Sequence, residues 1–186
     1  VKESVLCLEG KGPGDLRELV LACAAHLLVQ TGKAKSLADA LETATACLAS
    51  GAPRKKWDEM LAAQGADLEA LARKLALDHT APEVMELRSP ASGYVTRCDA
   101  RVVGEVVRDL GGGRFTKESS INYDVGVDAL AKPGETVSAG DLLARVHASD
   151  SAQASAACAR LRSALEIRAQ PPAAQPLIAQ TIESPQ

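Results

Sequence analysis

The strongest constraint on this chain is a run of apolar side chains at helical spacing in a stretch that contains no strand. Leu16, Leu19, Val20, Cys23, Leu27 and Leu28 recur at three- and four-residue steps, which places them on one face of a helix over residues 13–31. Pro13 suits its first turn, Asp15 lies where the helix dipole favours an acid, and Gly32 suits the C-terminal cap. Ser36, with Asp39 three residues later as a weak capping box, opens a second helix. That helix carries Leu37, Leu41, Ala44, Cys47 and Leu48 and stops near Gly51. A third, over residues 53–64, is expected to bury Trp57, Met60 and Leu61, and a fourth spans residues 67–77. Leaving one Leu or Val in water forgoes roughly 1.5–3 kcal/mol. Several such losses rival the ~5–15 kcal/mol that holds a whole domain together. These helices are therefore expected to cover a sheet, or another helical layer, that the segment itself lacks. The first residue is Val1 rather than Met, inside what reads as a helix over residues 1–8, so an upstream portion is expected.

The pattern changes near residues 79–83. Thr80, Ala81 and Pro82 break the helical period, and Val84 to Arg88 alternates like a strand. A turn at residues 89–93 leads into a second strand at Tyr94, Val95 and Thr96. Asp99 caps a helix over residues 100–110 whose Val102, Val103, Val106, Val107 and Leu110 face inward. Residues 121–127 and 141–147 read as strands, and residues 151–165 as a last amphipathic helix. From Ala169 on, Pro and Gln dominate and the chain reads as a loose tail. The reading is α+β: a helical segment over residues 1–82, a compact α+β domain over 83–168 and a tail over 169–186.

Composition excludes several classes of function. The 186 residues carry 21 basic and 24 acidic side chains, a net charge of −3. Neither half is basic enough to draw nucleic acid or an anionic membrane. Trp57, Tyr94, Phe115 and Tyr123 are the only aromatics, too few for base-stacking platforms. No apolar run approaches the ~20 residues that span a bilayer, and no signal peptide opens the chain. The five cysteines are odd in number and lack a C-x-x-C pair, which fits neither a disulfide framework nor a zinc site. A reduced, cytoplasmic setting follows.

Local motifs supply no catalytic machinery. Gly111-Gly112-Gly113-Arg114 looks like a phosphate cradle, but it follows a helix instead of opening one, so its amides lack the anion-binding geometry. Cap and turn roles account for it, and Arg114 and Lys117 read as solvated charges. His26, His79 and His147 are scattered in sequence and build no metal cluster. Asp58 and Glu59 point in different directions on a helix and read as solvated acids.

Taken together, several stretches resemble one family. Val1-Lys2-Glu3 followed by Gly10-Lys11-Gly12-Pro13-Gly14-Asp15-Leu16 resembles a helix-turn-helix of the thymidine and pyrimidine-nucleoside phosphorylases. Met60-Leu61-Ala62-Ala63-Gln64-Gly65 is similar to that family's M-x-x-A-Q-G helix end. Gly111 to Arg114, Lys117-Glu118-Ser119 and Ile121 to Gly126 resemble its G-x-G-R, K-E-S and I-D-x-x-V-G run, with Asn122 where an Asp is usual. Pro133-Gly134-Glu135-Thr136-Val137, Gly140 and Val146-His147 complete the likeness, which covers about residues 1–168.

The resemblance implies a pentosyltransferase that moves the (deoxy)ribosyl group of thymidine or uridine onto inorganic phosphate, releasing free base and sugar 1-phosphate. It implies that residues 1–82 end a central α/β domain, and that residues 83–168 form a carboxy-terminal domain of barrel-sandwich or hammerhead type. The parent is then a homodimer through an amino-terminal helical domain. No organic cofactor is implied; phosphate is the co-substrate. The family's K-H-S-T-G-G phosphate loop and R-x(14)-S-x-x-K base site do not occur in this sequence. No catalytic or substrate-binding residue therefore carries over, and this chain alone is expected to be inactive. One metal ligand does carry over: the acid of the V-K-E step, Glu3, implied to bind a structural potassium ion. A second likeness is to lipoyl and biotinyl carrier hairpins, through Gly134 to Leu143, with Lys117 as the one lysine near a carrier position. Lys117 is followed by Glu118 and lacks the usual Met or Ala neighbours.

Overall fold

The computed structural model describes residues 1–182. They divide into two compact units, Val1–Asp78 with the described residues from Gln175 on, and His79–Ala174.

The first unit is helical: α1 (Lys2–Leu8), α2 (Gly14–Gln30), α3 (Leu37–Ala49), α4 (Ala52–Ala63) and α5 (Leu68–Ala76). The caps follow from side-chain chemistry. Ser36 Oγ accepts from the Asp39 amide at 3.1 Å, and Asp67 Oδ1 from the Ala70 amide at 2.9 Å. Gly32, at φ +69°, ends α2 in a left-handed turn that side chains disfavour.

Packing is where this unit departs from an ordinary domain. In α2 only Ala25 is buried, against α3, which buries Ala40, Ala44 and Leu48. Leu19, Val20, Leu27, Leu37 and Leu41 of the expected inner faces are exposed. Met60, expected inside, is 43 % exposed, because α4 buries no residue fully. Apolar residues are spread around α2 instead of gathering on the single face expected from their spacing.

The second unit holds two three-stranded antiparallel sheets, ordered β1-β5-β3 and β4-β2-β6. The strands are β1 (Glu83–Arg88), β2 (Gly93–Cys98), β3 (Gly126–Asp128), β4 (Thr136–Val137), β5 (Leu142–Ala148) and β6 (Leu165–Arg168). Two helices join them. Asp99 caps α6 (Ala100–Val107) by accepting from the Arg101 and Val102 amides at 3.1 and 3.3 Å. Asp150 caps α7 (Ser151–Ala164) by accepting from Gln153 at 2.8 Å. Leu87, Val95, Val106, Val146 and Leu161, drawn from β1, β2, α6, β5 and α7, are each almost wholly buried in one continuous core.

Two expectations are corrected here, and two short strands are added. The strand over residues 121–127 exists only as Gly126–Asp128. Ahead of it, Asn122 spends its groups on turns: its amide donates to Gly111 O at 2.9 Å and its Oδ1 accepts from the Asp124 amide at 3.0 Å. Helix α6 stops at Val107, and a π turn over Arg108–Gly112 carries Leu110 into the core. Short strands β4 and β6 come from stretches with too few residues to show a period. Among the described residues no helix is long and apolar enough to cross a membrane, and the five cysteines are free thiols.

Strand β2 passes so close to β6 that a Cβ on Gly93, at φ +157°, would sit 2.5 Å from the Arg168 carbonyl oxygen. Gly93→Ala is therefore expected to destabilise the second unit by about 2–3 kcal/mol, as overpacking does. Thermal melts of the two proteins check this, and an unchanged melting temperature refutes the close approach.

Candidate functional site

Three places answer to the functional reading: Glu3, the loop after α6, and the outer face of sheet β1-β5-β3. Glu3 lies in the first turn of α1 with its side chain exposed. Hard cations are held by several converging oxygens, whereas Glu3 brings one carboxylate, at the positive end of a helix dipole. Among the described residues no group of three or more His, Cys, Asp or Glu is placed to hold a metal ion. The residues present thus fit a cation only as one ligand of several.

The glycine run sits where its order in the sequence places it, after a helix. Gly111 takes φ +99° to end the π turn. A Cβ on Gly112 would meet Val107 Cγ1 at 3.0 Å, and one on Gly113 would meet Arg108 Cα at 3.2 Å. These glycines serve close packing of backbone on the end of α6. The loop beyond them presents Phe115, with the Arg108 guanidinium 4.5 Å from its ring centroid. Arg114 and Lys117 are exposed. Lys117 occupies a turn flanked by irregular chain on both sides, not a tip joining two paired strands, so it lacks the presentation a carrier lysine needs. Asp58 and Glu59 are engaged locally, with Arg54 and Lys56 respectively.

The third place was missed by reading along the chain. His79 and His147 are 68 positions apart in sequence, yet their ring centroids lie 6.1 Å apart. His26 lies on α2, in the first unit. The pairing register explains the rest: Asp128 of β3 faces Arg145 of β5, and Gly126 faces His147. Asp128, Arg145 and His147 consequently share one face. Arg145 donates from Nε to Asp128 Oδ1 at 2.9 Å and from Nη2 to Oδ2 at 2.7 Å, a bidentate clasp. His147, only 9 % exposed, brings Nε2 to 2.9 Å from Asp128 Oδ1. That is charge-contact distance, but Nε2 is off hydrogen-bond alignment and has no hydrogen-bond partner among the described residues. The Arg145 clasp holds the Asp128 carboxyl well below the usual carboxylate range, at about 2; burial opposes this and His147 adds to it.

Comparison with known proteins places these features. Residues 94–168, from β2 through β6, match the pyrimidine nucleoside phosphorylase C-terminal domain. The chain is 41 % identical over 159 residues to a thymidine phosphorylase of Burkholderia cenocepacia (strain HI2424), covering 83 % of this chain and 36 % of that protein. It is 36 % identical over 167 residues to a thymidine phosphorylase of Mesorhizobium japonicum, covering 90 % and 38 %. A pyrimidine-nucleoside phosphorylase of Geobacillus stearothermophilus is 34 % identical over 147 residues, covering 79 % and 34 %. Residues 94–168 belong to that C-terminal domain family, and most of the chain is similar to thymidine and pyrimidine-nucleoside phosphorylases. The chain spans little more than a third of the length of these curated relatives.

Within this phosphorylase domain the glycine loop, the Asn122 turn and the β3–β5 clasp all fall inside the matched residues. There the glycines pack the loop on the end of α6, and the clasp joins β3 to β5.

The clasp has a measurable acid limb. Because folding lowers the Asp128 value, its contribution is complete above the unfolded value near ~3.9 and is lost as pH falls through about 2. Asp128 is nearly half exposed, so solvent screening keeps the contribution to about 1 kcal/mol. Asp128→Asn is expected to lower stability by that amount at neutral pH and to flatten the loss between pH ~4 and ~2. Urea titrations across that range check it; parallel curves for both proteins would count against the clasp.

Proposed function

We propose that this chain is the carboxy-terminal part of a cytoplasmic pyrimidine-nucleoside phosphorylase, and that it is inactive without the remainder of that polypeptide. The reaction is phosphorolysis. A phosphate oxygen forms a bond to the anomeric carbon of thymidine or uridine while the C–N glycosidic bond breaks, its electron pair leaving with the pyrimidine. The sugar carbon is electron-poor in transit, so catalysis rests on positioned anion-binding groups and stabilisation of the departing base. The phosphate-loop and base-site motifs that would supply them are absent from this sequence.

The observation that carries this reading is the uncovered apolar surface on α2 and α3. An open groove of about 600 Å³ runs between them, with Val20, Leu21, Leu28, Ala44, Cys47 and Leu48 in its walls. A contiguous apolar surface of this kind is an interaction surface on a soluble protein. Helices that flank a sheet present just such a face, and the relatives are nearly three times as long as the portion matched here. The groove is read as the seat of a sheet supplied by the remainder of the phosphorylase. Glu3 is read as one ligand of a structural potassium ion whose other oxygens come from that remainder. The parent is read as a homodimer joined through its amino-terminal domain.

Three experiments test this. Thymidine and phosphate incubated with this chain should yield no thymine by chromatography, and genuine turnover would overturn the inactive-part reading. The chain should also bind the apolar dye ANS in its native state, and Val20→Lys with Leu27→Lys should abolish most of that signal. Native dye binding that is absent, or untouched by the double substitution, removes the uncovered face. For the ion, potassium should raise the melting temperature of the complete phosphorylase carrying Glu3 but not of Glu3→Gln. Equal shifts would remove Glu3 as a ligand.

A further inference from the structure

A cleft opens in the second unit where edge strand β1 of one sheet comes near edge strand β6 of the other. It is lined by Leu87 of β1, Leu143 of β5, and Leu165 and Ile167 of β6, and its only charged members are Arg88 and Arg162. No acid is among its lining residues. Its volume is about 140 Å³, close to the ~150 Å³ of an apolar cavity that takes one benzene ring.

The two guanidiniums differ in what already holds them. Arg88 donates from Nη1 to Gly140 O at 2.8 Å, and its Nη2 pairs with Glu86. Arg162 pairs with no acid among the described residues. A basic side chain in the last turn of a helix ordinarily serves that helix's free carbonyls. In α7 two of those are already taken: Ser163 O accepts from Arg97 Nη2 at 3.1 Å, and Ala164 O from the Asp99 amide at 2.9 Å. Burial pushes the Cys158 thiol up, against the pull of the Arg162 charge, so no thiolate neutralises the guanidinium. Arg160 makes the contrast. It lines the other cleft of α7, against α6, and is balanced there by Glu105 at 2.9 Å and by Asp109.

We propose that the cleft between β1 and β6 binds a small organic carboxylate, its compact apolar group among Leu87, Leu143, Leu165 and Ile167 and its charge on Arg162. With Arg88 balanced by Glu86, the cleft keeps one net positive charge, which a monocarboxylate cancels. The planar guanidinium fork matches a carboxylate through two parallel hydrogen bonds. The volume admits one ring, or a branched chain of similar bulk, and is too small for a nucleoside. The site therefore stands apart from phosphorolysis and does not rest on the phosphorylase reading. A free acid and a polypeptide ending in leucine share this chemistry, a carboxylate beside one compact apolar group.

Titration of this chain with benzoate, followed by amide NMR, tests the site. The Leu87, Ala91 and Leu143 amides should shift and saturate with a Kd of about 1 mM, within reach of so small a ligand. Benzamide, the same ring without the charge, should bind roughly tenfold more weakly. Arg162→Gln should erase that preference by weakening benzoate alone, whereas Arg101→Gln on α6 should leave it intact. Ala91→Leu, which puts a larger side chain into the lining, should remove both ligands. A pentapeptide ending in leucine identifies the source: saturation by benzoate assigns a free acid, and saturation by the peptide alone assigns a chain terminus. Failure of both, equal affinity for benzoate and benzamide, or a preference that survives Arg162→Gln overturns the proposal. If Ala91→Leu does not fold, the comparison across Arg162→Gln decides alone.

Discussion

Apolar surface must be removed from water, and how each unit meets that demand governs everything else in this protein. The second unit meets it internally. Leu87 of β1, Val95 of β2 and Val146 of β5 join residues of α6 and α7 in one core, and the largest core side chains are almost fully enclosed. The first unit does not. Helix α2 places Leu19, Val20 and Leu27 in solvent, the last 60 % exposed, while the residue it buries best is an alanine. At roughly 1.5–3 kcal/mol for each large aliphatic side chain, that deficit weighs heavily against the stability of any small helical assembly.

The family likeness includes the second of these units, through residues 94–168. The matched domain holds residues whose work is architectural: Gly93 lets two strands touch, Gly112 and Gly113 let a loop lie on a helix end, and Asp128 pins β3 to β5. Charged side chains of the same domain pair with one another, as where Arg160 bridges Glu105 and Asp109.

Much of the fold was legible because its signals are local. Helix caps at Ser36 and Asp99 involve residues two or three positions apart, and each formed on the amides its spacing predicts. Strand 121–127 misled because Ile121, Val125 and Val127 alternate well enough for a sheet, while Asn122 competes for the same backbone as a turn former. Tyr123, 82 % exposed, has no neighbouring strand to lie against. Met60 misled for another reason: a helical period tells which face is apolar, not whether anything covers it.

From the residues alone came the α+β class, the order of the helices and main strands and the family likeness, since each rests on neighbours along the chain. The tertiary structure alone decided that His79 meets His147, that Asp128 is clasped by Arg145, and that α2 remains uncovered. Those facts depend on cross-strand register and on which surfaces find partners. Such pairings join residues far apart in sequence, so no local pattern of side chains encodes them.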